Sequence, residues 1–248
     1  MSYDMLTRHY YAKWADVEPA IFDTEGISVV ESAERETIQK GYSRPFDLYC
    51  LLTQKATVIS HSRSLRNEVG EICRLCNELE LISELVPALR SKFNREVGHS
   101  IKFVFTKTMD LDTSGAVRLN PENYDDYLEF FVAVHPNANT DWVEEYYLSM
   151  VENKNCWGVY DGTRLASCTD APDIPYMSDI IVEPGINTRP EYRQKGYAKR
   201  AVGAMITSLV ENGKVPIWSC AAENEASNRL AQSVGYRKFA DLITLSLS

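Results

Sequence analysis

The spacing of apolar residues changes several times along the chain, and each change marks an element. Arg8 to Phe22 is predicted as a helix, and Gly26-Ile-Ser-Val-Val as a short strand. Leu48 to Leu52 and Thr57 to Ser60 read as strands joined by a turn, followed by helices over Leu65 to Leu79 and Leu81 to Lys92. Ile101, Phe103 and Phe105 alternate with polar Lys102 and Thr106, Val104 being the exception, as in a largely buried strand. The stretch Lys107 to Gly115 is mostly polar and rich in turn formers, so the boundary is placed there. This divides the chain into a smaller α/β domain, 1–109, and a second domain, 110–248.

Punctuation is sharper in the second part. Ala116 to Leu119 reads as a strand. Asn120 then caps a helix with Pro121 at its first position and Tyr124, Tyr127, Leu128 and Phe131 on its apolar face. A second helix follows from about Asp141. Asp161-Gly162 between two apolar runs, Cys156 to Tyr160 and Leu165 to Thr169, is a strong β-hairpin signal. An extended segment, Ser178 to Thr188, leads through Arg189-Pro190 to an amphipathic helix marked by Ala198, Ala201, Val202, Met205 and Leu209, with Gly213 at its C-cap. A strand at Val215 to Cys220, a helix at Asn224 to Val234 closing on Gly235, and a strand at Leu242 to Leu247 complete the series.

Composition narrows the partners. With 26 Lys plus Arg against 35 Asp plus Glu, the chain carries a formal charge of -9, which repels phosphate backbones and anionic lipid. Neither nucleic acid nor a membrane is expected as partner, and a small cationic acceptor suits the balance. No apolar run reaches the roughly 18 residues of a membrane span, and a cytoplasmic location is expected. The six cysteines (Cys50, Cys73, Cys76, Cys156, Cys168, Cys220) are scattered and expected to stay reduced. Cys73 and Cys76 form a CxxC, but their spacing puts both on the apolar stripe of a helix, and nothing completes a zinc site, so they are expected as buried core thiols with no metal bound. His9, His61, His99 and His135 have no partners at metal spacing. Homodimerisation is left open.

The segment Arg193-Gln194-Lys195-Gly196-Tyr197-Ala198 lies between a strand and a helix, where the free N–H groups of a first helical turn attract an anion. Gly196 allows backbone to approach a ligand, Ala198 allows close packing, and Arg193 and Lys195 add positive charge, so a pyrophosphate fits. A plain strand-to-helix connection has the same local form, while GxGxxG and GxxxxGK[ST] are both absent.

Pro190-Glu-Tyr-Arg-Gln-Lys-Gly-Tyr-Ala198 resembles the acyl-CoA signature of the GNAT superfamily, [QR]-x-x-G-x-[GA]. Asn224-x-x-Ser227-x-x-Leu230-x-x-x-x-Gly235-Tyr236 is similar to the family's later N-x-x-[AS]-x-x-[LF]-x-x-x-x-G-[FY] helix. The order of elements from Ala116 onward also matches, so the resemblance covers a little over half the chain.

The resemblance implies a mixed, mostly antiparallel sheet with a splayed parallel strand pair, flanked by helices. It implies acetyl-CoA as cosubstrate, and N-acetyl transfer to a primary amine by direct attack, without metal. A non-catalytic acyl-CoA sensor with the same fold is the rival reading. Ile186, Asn187 and Thr188 would face the pantetheine arm, residues 193–198 the pyrophosphate, and Asn224 and Ser227 the cofactor from the later helix. The family's usual tyrosine falls at Ala231, leaving Tyr236, Tyr197 or Cys220 as substitutes. Pro184-Gly185 suits a bulge that breaks strand pairing, or an ordinary turn. Glu183 before it is a candidate base. Asp179 is the alternative, on the same face if the strand is regular, and a solvated carboxylate is the plainer reading of each. Residues 1–109 carry no motif: a degenerate copy of the same fold, a lid and a substrate domain all remain open.

Overall fold

Ser2 begins the first helix, α1 (Tyr3–Ala15), by accepting the Met5 N–H on its hydroxyl at 3.2 Å. The helix stops short of the expected Phe22 because Asp16 turns left-handed (φ 57°), and Pro19 then opens a separate 3-10 turn over Pro19–Asp23. The structure, a computed structural model, describes residues 2–79, 81–106 and 110–247. Residues 107–109 of the expected boundary fall outside the described residues.

The remaining elements run β1 (Gly26–Glu31), β2 (Leu48–Leu52), β3 (Ala56–His61), α2 (Val69–Glu78), α3 (Ile82–Phe93), β4 (Val97–Phe105), β5 (Ala116–Arg118), α4 (Tyr124–Val134), α5 (Val143–Glu152), β6 (Trp157–Asp161), β7 (Arg164–Asp170), β8 (Ile181–Val182), β9 (Gly185–Thr188), α6 (Tyr197–Glu211), β10 (Val215–Ala221), α7 (Glu225–Ser233) and β11 (Tyr236–Leu245). The last strand starts earlier than expected, straight after Gly235, since exposed Arg237 and Lys238 hide its alternation.

One sheet has the order β1-β3-β2-β11-β4-β10-β8, the other β5-β6-β7-β9. In the first, β1 with β3 and β10 with β8 are parallel and the other pairs antiparallel; the second is antiparallel throughout. The larger sheet draws on both sides of residue 109, because β4 lies between β11 and β10 and β11 also pairs with β2. The expected division at 109/110 therefore separates strands of one hydrogen-bonded sheet.

Alternation along these strands sorts side chains onto two faces. Tyr49, Leu51, Val58, Val104, Ile217 and Leu242 turn toward Tyr10, Tyr11 and Trp14 of α1. Leu48, Cys50, Ile59, Ile243 and Leu245 meet the apolar sides of α2 and α3, where Cys73 and Cys76 are half-buried rather than sealed in the core. Phe103, Phe105 and Trp218 pack with Val202 and Ile206 of α6 and Ala231 of α7, and α4 and α5 cover Leu165 and Cys168 of the smaller sheet. All six cysteines are free thiols.

Candidate active site

The two sheets part within a single stretch of chain. Ile181 and Val182 pair in parallel with Val215 and Pro216; two residues later Gly185 to Thr188 pair instead with Asp170 to Ser167 of β7. Glu183 and Pro184 lie in the break, where Pro184 has no N–H to give to a ladder. The extended segment expected over Ser178 to Thr188 is thus two strands that diverge, and the break is a true interruption of pairing.

Arg189 N–H donates to the Ala166 carbonyl at 3.0 Å. Alternation then directs Asn187 and Gly185 toward β7, and Ile186 and Thr188 toward the open side of the break. Of the three residues expected to face a pantetheine arm, Ile186 and Thr188 have main-chain groups on the open edge, and the Thr188 carbonyl already accepts a long contact from Arg193 Nε at 3.4 Å.

Close by, Gly196 begins α6 in a left-handed conformation (φ 80°), preceded by Gln194 at φ 63°. Among the described residues no side chain caps this turn, and none lies within 4 Å of where a Cβ on Gly196 would sit. Among the described residues the N–H groups of Tyr197, Ala198 and Lys199 have no hydrogen-bond acceptor, as an anion cradle requires. Arg193, Lys195 and Gln194 are exposed around it, with the Lys195 ammonium 5.0 Å from the Tyr192 ring. Asn224 caps α7 by accepting the Ser227 N–H at 3.1 Å, and Ser227 Oγ accepts the Trp218 indole N–H at 3.1 Å. Both side chains are thus held by the protein.

Glu183 accepts a hydrogen bond on Oε1 from the Ser219 hydroxyl. It lines a cavity of about 200 Å³ under α1, together with Tyr10, Tyr11, Trp14, Tyr49 and Lys102. Burial pushes the phenols of Tyr10, Tyr11 and Tyr42 upward, Tyr42 to about 12, and the Glu183 charge adds to the rise in each. Burial lowers the Lys102 ammonium, against the pull of Glu183.

Asp179 is placed differently from the expectation. It sits in an exposed turn before β8, with its carbonyl accepting from Lys214 Nζ, so the argument that it shares a strand face with Glu183 does not apply.

The carboxylate that does approach the break is Asp170, at the end of β7 opposite Gly185. A Cβ on Gly185 would lie 1.7 Å from Asp170 Oδ1, so glycine there leaves room for this carboxyl. Burial, followed by the Glu183 charge, pushes Asp170 up to about 6. Asp170 also lines a second cavity of about 470 Å³, with Tyr127, Phe131, Trp142, Tyr146 and Asn187. Sequence reading passed over Asp170, since its only signal was a carboxylate ending a hairpin strand. A larger cavity, about 710 Å³, runs from Asn212 and Lys214 at the carboxyl end of α6 to Ile181 and Val182 of β8 and to Ala171, next to the break.

Ala231 is wholly buried and brings no hydroxyl. Of the substitutes, Tyr236 is buried with its hydroxyl unpartnered among the described residues, Tyr197 is half-buried against Arg200, and burial raises the Cys220 thiol. Among the described residues no three His, Cys, Asp or Glu side chains form a metal-sized group, and no helix is long and apolar enough to cross a membrane.

Residues 175–243 match the family model described as GNAT acetyltransferase. An acetyltransferase of the GNAT family from Colwellia psychrerythraea matches with a TM-score of 0.54 at 15% identity, over 64% of this chain and 60% of that one. The chain thus spans under two thirds of that protein's length. A GCN5-related N-acetyltransferase from Sphaerobacter thermophilus matches at TM-score 0.48 and 14% identity, covering 65% of this chain and 55% of that one. An acetyltransferase from Salmonella typhimurium, solved with acetyl-CoA, matches at TM-score 0.41 and 16% identity, covering 54% and 93%. Comparison with curated protein sequences gave no match. The match over residues 175–243 takes in the break at Glu183 and Pro184 and the helix start at Gly196, and the fold around them is similar to that of the Colwellia psychrerythraea acetyltransferase.

Proposed function

We propose that the chain is an N-acetyltransferase that moves an acetyl group from acetyl-CoA to the amine of a small molecule by direct attack. The observation that carries this reading is Glu183 standing in the break between β8 and β9, with an uncapped helix start at Gly196 beyond it. Acetyl-CoA supplies the thioester carbonyl. The first-turn N–H groups of α6, with Arg193 and Lys195, fit its pyrophosphate, and the open edge at Ile186 and Thr188 fits an extended amide-bearing arm.

An ammonium cannot attack, so the acceptor must lose a proton. Glu183, held by Ser219, takes it directly or through a water. The amine nitrogen bonds to the carbonyl carbon, the C–S bond breaks, and the electron pair leaves with sulfur. Thiols are acidic enough for the thiolate to depart and take its proton from solvent, which suits a site with alanine at 231. Asp170 is a second candidate base, because its proton affinity already lies near neutral pH.

Release of free CoA thiol across a panel of amines, alongside a thermal-shift titration with acetyl-CoA, tests the reading. Stabilisation by acetyl-CoA with amine-dependent thiol release is expected. Stabilisation with no release from any amine would replace the enzyme with an acyl-CoA sensor, and no stabilisation would remove both.

A further inference from the structure

The cavity beside Glu183 is walled largely by residues 1–109: Tyr10, Tyr11 and Trp14 from α1, Tyr42 and Phe46 from the loop before β2, and Tyr49 from β2. Trp14 and Tyr49 stack at 5.2 Å and 2°, and buried Arg35 fixes them, donating to the Trp14 carbonyl at 2.7 Å with its guanidinium 5.0 Å from the Tyr49 ring. These walls are therefore preformed.

Two opposite charges enter this aromatic chamber without meeting. Lys102 sits on β4 opposite Ser219, the residue that holds Glu183, and opposite the bulge at Phe239 in β11. Among the described residues the Lys102 ammonium has no hydrogen-bond or ion-pair partner. Tyr11 and Tyr49 line the same cavity beside it. An ammonium and phenol hydroxyls lining one cavity with a carboxylate offer donors and an acceptor to a polar guest.

Charge decides the guest's class. A simple cation would be attracted by Glu183 and repelled by Lys102, and a simple anion would meet the reverse. A molecule with one charge of each sign satisfies both. Size narrows it further: about 200 Å³ is only somewhat more than the roughly 150 Å³ of an engineered cavity that binds benzene, which suits the enclosed part of a guest of amino-acid size.

We propose that the acceptor is a free amino acid or a close analogue, with its amine at Glu183, its carboxylate at Lys102 and its side chain among the aromatic rings that residues 1–109 contribute. This deepens the acetyltransferase reading and rests on it. Residues 1–109 then act as the acceptor-binding part of the enzyme.

The test offers each of the twenty amino acids as free acid, as α-carboxamide and as decarboxylated amine, with acetyl-CoA and thiol release as readout. At least one free acid should exceed both of its analogues by roughly 10-fold or more in kcat/KM, since a site with a fixed charge rejects the analogue that leaves it unpaired. Lys102→Met should collapse that ratio toward one, mainly through KM, and Lys102→Arg should restore part of it, in variants that keep the wild-type thermal shift with acetyl-CoA. Quenching of protein fluorescence by the same acid, without acetyl-CoA, should be lost in Lys102→Met. If acetyl-CoA stabilises the protein and amines or carboxamides serve as well as acids, or no acid is acetylated, the inference falls while acetyl-CoA binding stands. If acetyl-CoA gives no shift, the acetyltransferase reading itself fails.

Discussion

The Ser219 hydroxyl donates to Oε1 of Glu183 at the point where β8 leaves β10, so the side chain in the break is held by the strand it has just left. Glu183→Gln should keep acetyl-CoA affinity and lower kcat/KM by roughly 10² to 10⁴, the range for loss of a general base. Ser219→Ala removes only the orienting bond and should cost less, about 10-fold, with a change in melting temperature equivalent to about 1 kcal/mol. Steady-state kinetics with thermal melts separate the two. An unchanged rate in Glu183→Gln would transfer the role to Asp170.

Asp170 gives a pH-dependent prediction with a definite sign. Its folded pKa, about 6, lies above the ordinary 3.8, so its contribution favours the fold most below about pH 4 and fades as pH rises through 6. Asp170→Asn carries no such penalty. The variant should gain stability relative to the parent between pH 4 and 7.5, by up to about 3 kcal/mol at about 1.4 kcal/mol per pKa unit. Urea unfolding at both pH values measures the difference, and a gap that stays constant would refute the raised pKa.

Gly185 is required for space. Gly185→Ala should destabilise by about 1–3 kcal/mol, because its Cβ would lie 1.7 Å from Asp170 Oδ1. Asp170→Ala in the same chain should recover part of that loss, a coupling that a double-mutant cycle reads directly. Additive losses would show that the close approach carries no cost.

At Gly196 the expected effect is on binding. Acetyl-CoA at about 100-fold excess over Kd should stabilise the protein by about 2.7 kcal/mol. Gly196→Asp should abolish that shift, since it adds a side chain and a negative charge to the uncapped turn and strains a backbone at φ 80°. A shift of wild-type size in this variant would place the pyrophosphate elsewhere.

The helix start at Gly196 and the break at Pro184 were legible because each depends on local backbone chemistry that a single residue type reports: a left-handed cap in one case, a missing donor in the other. Asp179 was misplaced because a regular strand was assumed through residues that form a turn, and strand alternation holds only within one strand. Asp170, Lys102 and the α1 aromatics were invisible for another reason. Lys102 meets Ser219 across 117 positions, the α1 aromatics reach the same cavity by packing on the sheet, and Asp170 comes to the break through its pairing with Gly185; the spacing of apolar residues along the chain encodes none of these meetings.

The place of β4 between β10 and β11 sets the order in which the molecule can assemble. Ile101 pairs with Asp241 on one side and Cys220 on the other, so a strand made early in synthesis has no neighbours until the last part of the chain has emerged. Residues 1–109 cannot finish folding on the ribosome as an independent unit, and β4 spends that interval as an unpaired apolar edge, the kind of segment that chaperones protect. Such distant pairing also carries a large loop-closure cost before it is rewarded, which favours slow folding. Release of residues 110–248 as a separate polypeptide would leave β10 and β11 with open edges where β4 belongs, so the two parts should regain solubility only when they are mixed or made together.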